Sequence, residues 1–207
     1  MSHNIKNFIS SFNKADLSRQ CNFEVRITPP LGFFASILKY GTLNIGAIPF
    51  AVFTLANMQN ITMRCEQASL PHRTFGTAHQ KIYGPVEHYP IQHYYPYVTC
   101  TFICSDNMHE KMFFDLWMEY MSTSSPALLA LNALGIGGAR FDFEYKSNYA
   151  AAINIRQYDV GGNSQYNVFL IDAFPIAVHE MPLDWASQEI NRIRVTFAYH
   201  YWTFIPL

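Results

Sequence analysis

Residues 192–202, RIRVTFAYHYW, alternate at period two: Ile193, Val195, Phe197, Tyr199 and Tyr201 fall on one face and Arg192, Arg194, Thr196, Ala198, His200 and Trp202 on the other. This pattern commits a chain to a sheet, because a slip of one residue would turn the whole apolar row to the wrong side. The pattern recurs upstream. CNFEVRI sets Phe23, Val25 and Ile27 against Asn22, Glu24 and Arg26 and stops at Pro29-Pro30, and ITMRCEQASLP places Ile61, Met63 and Cys65 inward before Pro71. YVTCTFICS is a further alternating strand, and AAINIRQYDVGGNSQYNVFLIDAFP reads as two strands around a Gly161-Gly162 turn. Between these, HRTFGTAHQKIYGPVEHYPIQHYYPY is expected to form extended hairpin arms with turns at Gly84-Pro85 and near Pro90.

Only two segments change period. DNMHEKMFFDLWMEYM carries Met108, Met112, Phe113, Leu116, Trp117, Tyr120 and Met121 at helical spacing, with Asn107 and Glu110 spaced as a capping box. It predicts a helix over 108–121 whose core anchors are Trp117, Phe113 and Leu116. Ile5, Phe8, Ile9 and Phe12 mark a short N-terminal helical arm. The expected fold is mainly β and single-domain over 1–207, sandwich- or barrel-like, with that arm and one flanking helix. Two stretches interrupt it: an apolar insertion at about 31–58, whose only charge is Lys39, and a smaller one at about 124–139. The first is long enough to cross a membrane, but Lys39, Asn44, Pro49 and interior glycines oppose a lipid-embedded helix, and no basic flank orients it. The expectation is a segment without a membrane anchor, covered by its own domain or by a partner.

Composition limits the chemistry. Half of the 207 residues are hydrophobic, 16% are aromatic, only 14% are charged and the net charge is −1. Such a chain can bury a sizeable core, lacks the basic footprint of a nucleic-acid binder, and has aromatic surface to offer to other proteins. No secretory leader is evident at the amino terminus, so the expected compartment is cytoplasmic. Cys21, Cys65, Cys100 and Cys104 have no ligand spacing, and Cys100 and Cys104 lie about 13 Å apart along one strand, so all four are expected reduced and mostly buried. His72, His79, His88 and His93 contain no H-x-x-x-H or H-E-x-x-H pair and suit hairpin packing better than coordination. Gly135–Arg140, GIGGAR, lacks the third glycine of a dinucleotide fingerprint, and Asp142, Glu144, Asp172 and Asp184 stand singly. No catalytic residue, metal or cofactor is expected. A small hydrolase or metal-binding enzyme, and a membrane-associated pore-like module, stay open as alternatives.

The order of these elements resembles the tail tube protein family of contractile bacteriophage tails. The likeness lies in NFEVRI after an arm, ITMRCEQASLP, TCTFICSDNMHEKMFFDLWMEYM, and INIRQYD followed by AFPIAVHEMPLDWASQEINRIRVTFAYHYW. These pieces cover about two-thirds of the chain. The resemblance implies a non-enzymatic virion protein assembled in the host cytoplasm. Six copies would form a ring whose inner wall is a continuous β-barrel, and rings would stack on adjacent tube or baseplate rings. The sheath would surround the tube, the tape-measure protein would fill it, and DNA would pass through the lumen without sequence-specific binding. The two insertions fit either a repeating tube subunit or the paralogue that initiates the tube on the baseplate. Phe33, Phe34, Tyr40, Phe50, Phe53, Tyr94, Tyr95, Tyr199 and Tyr201 are the candidates for contacts between subunits or rings. Low net charge further suggests a lumen that is neutral to acidic, so that sliding nucleic acid is not held.

Overall fold

The computed structural model describes residues 18–28, 30, 33, 62, 64–81, 83–122, 143–186 and 188–205. The expected N-terminal arm and the 124–139 insertion lie outside these residues, as does nearly all of 31–58. The strands are β1 (Phe23–Thr28), β2 (Cys65–Ala68), β3 (Thr74–Gln80), β4 (Glu87–Tyr94), β5 (Val98–Ile103), β6 (Ala151–Tyr158), β7 (Ser164–Val178), β8 (Arg192–Ala198) and β9 (Tyr201–Ile205). Two helices with described bounds accompany them, α1 (His109–Ser122) and the single turn α2 (Lys146–Tyr149). The fold is mainly β, and all pairings are antiparallel.

The main sheet runs β1-β6-β7-β8-β5-β2, with β9 also on β7, and β3-β4 stand apart as a two-stranded ribbon. The described strands do not close into a barrel, since β1 and β2 end the sheet and no ladder joins them. Instead β7 serves two half-sheets. Its first part pairs with β6 and β9, and its second part pairs with β8. Strands that pass from one sheet layer to another usually do so through a bulge or bend. Asp172 marks that bend, with φ of 54°, a conformation uncommon outside glycine.

The same bend corrects the reading of the closing strand. It is not one strand to Trp202 but two, β8 and β9, broken at Tyr199-His200 opposite Asp172. Ile193, Val195, Phe197 and Tyr199 are buried as expected. Beyond the break the phase slips by one: Trp202 and Phe204 oppose the core residues Leu170 and Val168, while Tyr201 opposes Ile171 on the outer face. Both strands slip together, so their register is preserved. His200 N–H donates to Ile171 O at 2.9 Å, and the Asp172 carboxylate lies 3.5 Å from Lys146 Nζ and 3.8 Å from His200 Nδ1.

Two prolines also read differently in place. Pro175 does not end its strand but sits inside β7 beside a bulge, opposite Phe197. Pro90 lies within β4 beside the bulge between Gly76 and Thr77, so the hairpin has one turn, at 81–86, where Gly84 takes φ of 91°. That is a backbone conformation glycine adopts without steric cost.

Helix α1 lies one residue later than its pattern suggests and buries Phe113, Phe114, Trp117 and Tyr120, with Leu116 partly buried. Phe114 packs on Phe102 and Phe197, Trp117 on Phe113 and Phe197, and the Trp117 indole N–H donates to Tyr149 O at 3.0 Å. Met112, placed on the apolar stripe by spacing, is instead exposed, and Phe114 takes the inward position.

The capping box is displaced too. Buried Glu110 accepts from the Ser105 backbone N–H and hydroxyl, both at 2.8 Å, and from Arg64, rather than pairing with Asn107. Burial pushes the Glu110 carboxyl up, but the Ser105 and Arg64 hydrogen bonds outweigh it and hold the group below 4.5. A depressed carboxylate contributes stability that is present above its unfolded value and lost as pH falls through the folded one. Glu110→Gln should therefore lower stability by about 1–3 kcal/mol at neutral pH. It should also flatten the loss of the urea midpoint below pH 4.5 relative to the unsubstituted protein. A variant whose midpoint tracked the parent at both neutral and acid pH would show that Glu110 does not tie β2 to α1.

All four cysteines are free. Cys100 and Cys104 are buried, Cys65 is half-buried and Cys21 is exposed. A hydrogen bond with Cys65 and burial push the Cys100 thiol well up, and burial raises Cys104, so neither is poised as a thiolate.

Candidate assembly surfaces

Among the described residues the half-sheet β1-β6-β7-β9 has two unpaired edges: β1 pairs there only with β6, and β9 only with β7. Unpaired strand edges present rows of N–H and C=O groups that other chains can complete. Lysine, the common blocker of such edges, is absent from both strands, and β1 carries Arg26 alone as a cation.

One face of this half-sheet is core: Val25, Ile27, Ile153, Ile155, Val168 and Leu170 are all buried. By alternation the opposite face carries Glu24 and Arg26 from β1, Asn154 and Arg156 from β6, Asn167 and Phe169 from β7, and Tyr201 and Thr203 from β9. Here polar side chains interlock. Tyr158 donates to Glu24 at 2.6 Å and Arg26 contacts the same carboxylate at 3.0 Å; with Arg156 nearby, these hold Glu24 below its ordinary value. Of the charged groups in these rows, two are guanidiniums and one is a carboxylate, so the face is slightly cationic rather than acidic.

The β3-β4 ribbon is the second surface. Every residue of β4 is exposed, and Phe75, Tyr89, Ile91 and Tyr94 give the ribbon apolar area on both sides. An isolated two-stranded ribbon is marginal in water. Its base is tied down by Arg73, whose guanidinium sits 5.1 Å from the Trp202 ring and 5.5 Å from the Tyr95 ring. From there Phe75, His93, Tyr95 and Tyr199 form a column of ring contacts leading into the core.

A third surface is the loop 179–191. It leaves Leu183, Trp185 and Ile190 exposed, while Asp184 caps it by accepting from Ala186 N–H at 3.0 Å. Among the described residues, open hollows of about 970 and 850 Å³ lie along this loop, and another of about 560 Å³ lies between Arg64 and Asn107. Among the charged groups lining them, Glu66 is ion-paired with Arg192 at 2.6 Å and Asp184 accepts from a backbone N–H.

The nine contact candidates are distributed unevenly. Tyr94 and Tyr201 are exposed, Tyr95 is half-buried and Tyr199 is buried beneath it. Phe33 is buried under α1, edge-on to Phe113 and Tyr120, so its ring belongs to the subunit's own core. Phe34, Tyr40, Phe50 and Phe53 lie outside the described residues. Sequence reasoning did not single out the β1 and β9 edges, which depend on strand order, or Trp185, which is exposed and on which no alternating pattern falls.

Two edges unpaired among the described residues, a polar sheet face and a separate exposed ribbon are the surfaces this fold offers to other chains. The chain belongs to the phage tail tube protein family, whose model matches residues 18–205. It is thus a non-enzymatic structural component of a tail tube. Its fold is similar to that of a chain in the extended sheath–tube complex of the extracellular contractile injection system PVC, at 11% identity and a TM-score of 0.56, covering 96% of this chain and 97% of that one. It is also similar to chains in the six-fold symmetrised baseplate of the anti-feeding prophage (12%, 0.53, 93% and 97%) and in its tube-terminating cap (13%, 0.51, 95% and 99%). No curated protein sequence matches it. Among the described residues no helix is long and apolar enough to cross a membrane.

Proposed function

We propose that six copies close into a ring of the inner tail tube, with β9 of one copy pairing β1 of the next, and that the genome is delivered through the ring. The strand directions carry this reading. Alternating antiparallel pairs from β1 to β6, β7 and β9 leave the two edge strands running in opposite senses. Rotation about a ring axis preserves those senses, so the two edges meet antiparallel and the alternation continues without a break. Six copies supply 24 strands. At about 4.8 Å per strand the wall is about 37 Å across between backbones, or about 45–52 Å with strands tilted 35–45°.

The other half-sheet and α1 lie on the core side, so this bulk fits only at the larger radius and the polar face turns to the lumen. Glu24, Arg26, Arg156 and Thr203 then line it, above buried Asn154 and Asn167, and it is weakly cationic where low net charge suggested neutral to acidic. With Arg26 ion-paired to Glu24 and Arg156 close to the same carboxylate, the face offers little free charge for gripping a phosphate backbone. The sheath would meet the outer surface, and the tape-measure protein would occupy the lumen during assembly in the host cytoplasm. Residues 31–58 would dock the ring to a neighbouring tube or baseplate ring.

Electron micrographs of the assembled protein should show six-fold rings, with backbone amides of β1 and β9 exchanging more slowly than in the free subunit. Rings whose subunits touched only through side chains, with β1 and β9 amides unprotected, would refute the edge pairing.

A further inference from the structure

His79 on β3 and His88 on β4 are directly opposite each other near the ribbon's turn. Their Nδ1 atoms are 2.8 Å apart, their ring centroids 4.5 Å apart, and the rings are nearly perpendicular at 86°. Two distances can be compared with the geometry of a chelate. With metal–nitrogen bonds of about 2.0 Å and a ring centre about 1.1 Å behind each nitrogen, a cis angle of 90° places the nitrogens about 2.8 Å apart and the centroids about 4.4 Å apart. A tetrahedral angle would spread the nitrogens to about 3.3 Å. The observed spacing therefore suits the right-angled positions of square-planar or tetragonal Cu²⁺ and Ni²⁺ better than tetrahedral Zn²⁺.

We propose that His79 and His88 form a two-histidine chelate for a divalent copper or nickel ion across the β3-β4 ribbon. Both rings bind through Nδ1, leaving each Nε2–H free to donate outward. Alternation places Glu87, Tyr89 and Gln80 on the opposite face, where Tyr89 donates to Glu87, so no neighbouring carboxylate on those strands competes for the ion. Among the described residues no third His, Cys, Asp or Glu completes a larger cluster, and water takes the remaining positions. The consequence is mechanical. A ligand that binds only the paired ribbon stabilises it, and this ribbon has little core of its own. This departs from the expectation that the histidines only pack the hairpin: no ligand spacing marks His79 and His88, which are nine residues apart and meet only through strand register.

With His3→Ala in place throughout, so that the Met1-Ser2-His3 terminus cannot chelate the ion, titration of the purified full chain with CuCl₂ or NiCl₂ should show one strong equivalent. His79→Ala and His88→Ala should each weaken it at least tenfold, and His72→Ala, at an exposed histidine outside the strands, should not. Electron paramagnetic resonance of the copper form should report two imidazole nitrogens in the parent and one in either variant. Metal should slow amide exchange in β3 and β4 in the parent alone. Equal affinity in His79→Ala and the parent, with circular dichroism showing both folded, would overturn the proposal, as would an unchanged nitrogen count.

Discussion

Proline at one of two adjacent positions of β9, Thr203 or Phe204, is expected to abolish ring assembly while leaving the subunit folded. N–H groups along a strand point alternately to its two neighbours, so one of these residues donates towards β7 and the other towards the free edge. Proline removes the donor in either case. At the inward-directed position it costs the subunit a ladder bond and lowers its own stability. At the outward-directed position the subunit keeps its ladder and loses one inter-subunit bond of about 0.5–1.5 kcal/mol. A six-membered ring repeats that loss at every interface, giving about 3–9 kcal/mol per ring. Sedimentation and urea unfolding of the two variants separate the cases. If both assembled like the parent, β9 would not be the ring edge.

Trp117→Ala should destabilise the subunit by about 3–5 kcal/mol, the range for removing a buried aromatic ring. The indole is fully buried between Phe113 and Phe197, and its N–H satisfies the Tyr149 carbonyl, so the substitution leaves both a cavity and an unpaired acceptor. Met112→Ala is the matched control on the same helix. At 42% exposure it should cost well under about 1 kcal/mol. Similar shifts in denaturant midpoint for the two variants would contradict the placement of α1. Because the ring proposal depends on the sheet edges rather than on this helix, the two experiments fail independently.

The sequence by itself determined the mainly β character and the helix. Val25 and Ile27, Ile193 to Phe197, and Phe113 with Trp117 are buried where their periodicity placed them, because burying a row of apolar side chains is local to each element. It also carried the order of motifs that marks the family. The errors have a common cause. Tyr201 faces outward because β7 and β8–β9 slip together at Asp172 and Tyr199-His200, a bend created by the need to pass between two half-sheets. Pro90 and Pro175 stay within strands because bulges absorb them, and Met112 yields its place to Phe114 because the helix is rotated to meet Phe102 and Phe197. Which edges remain free, which face is polar across four strands, and that His79 meets His88 were decided by tertiary structure alone. Periodicity records which side of its own element a residue occupies, whereas strand order and register arise from the packing of residues far apart in the chain.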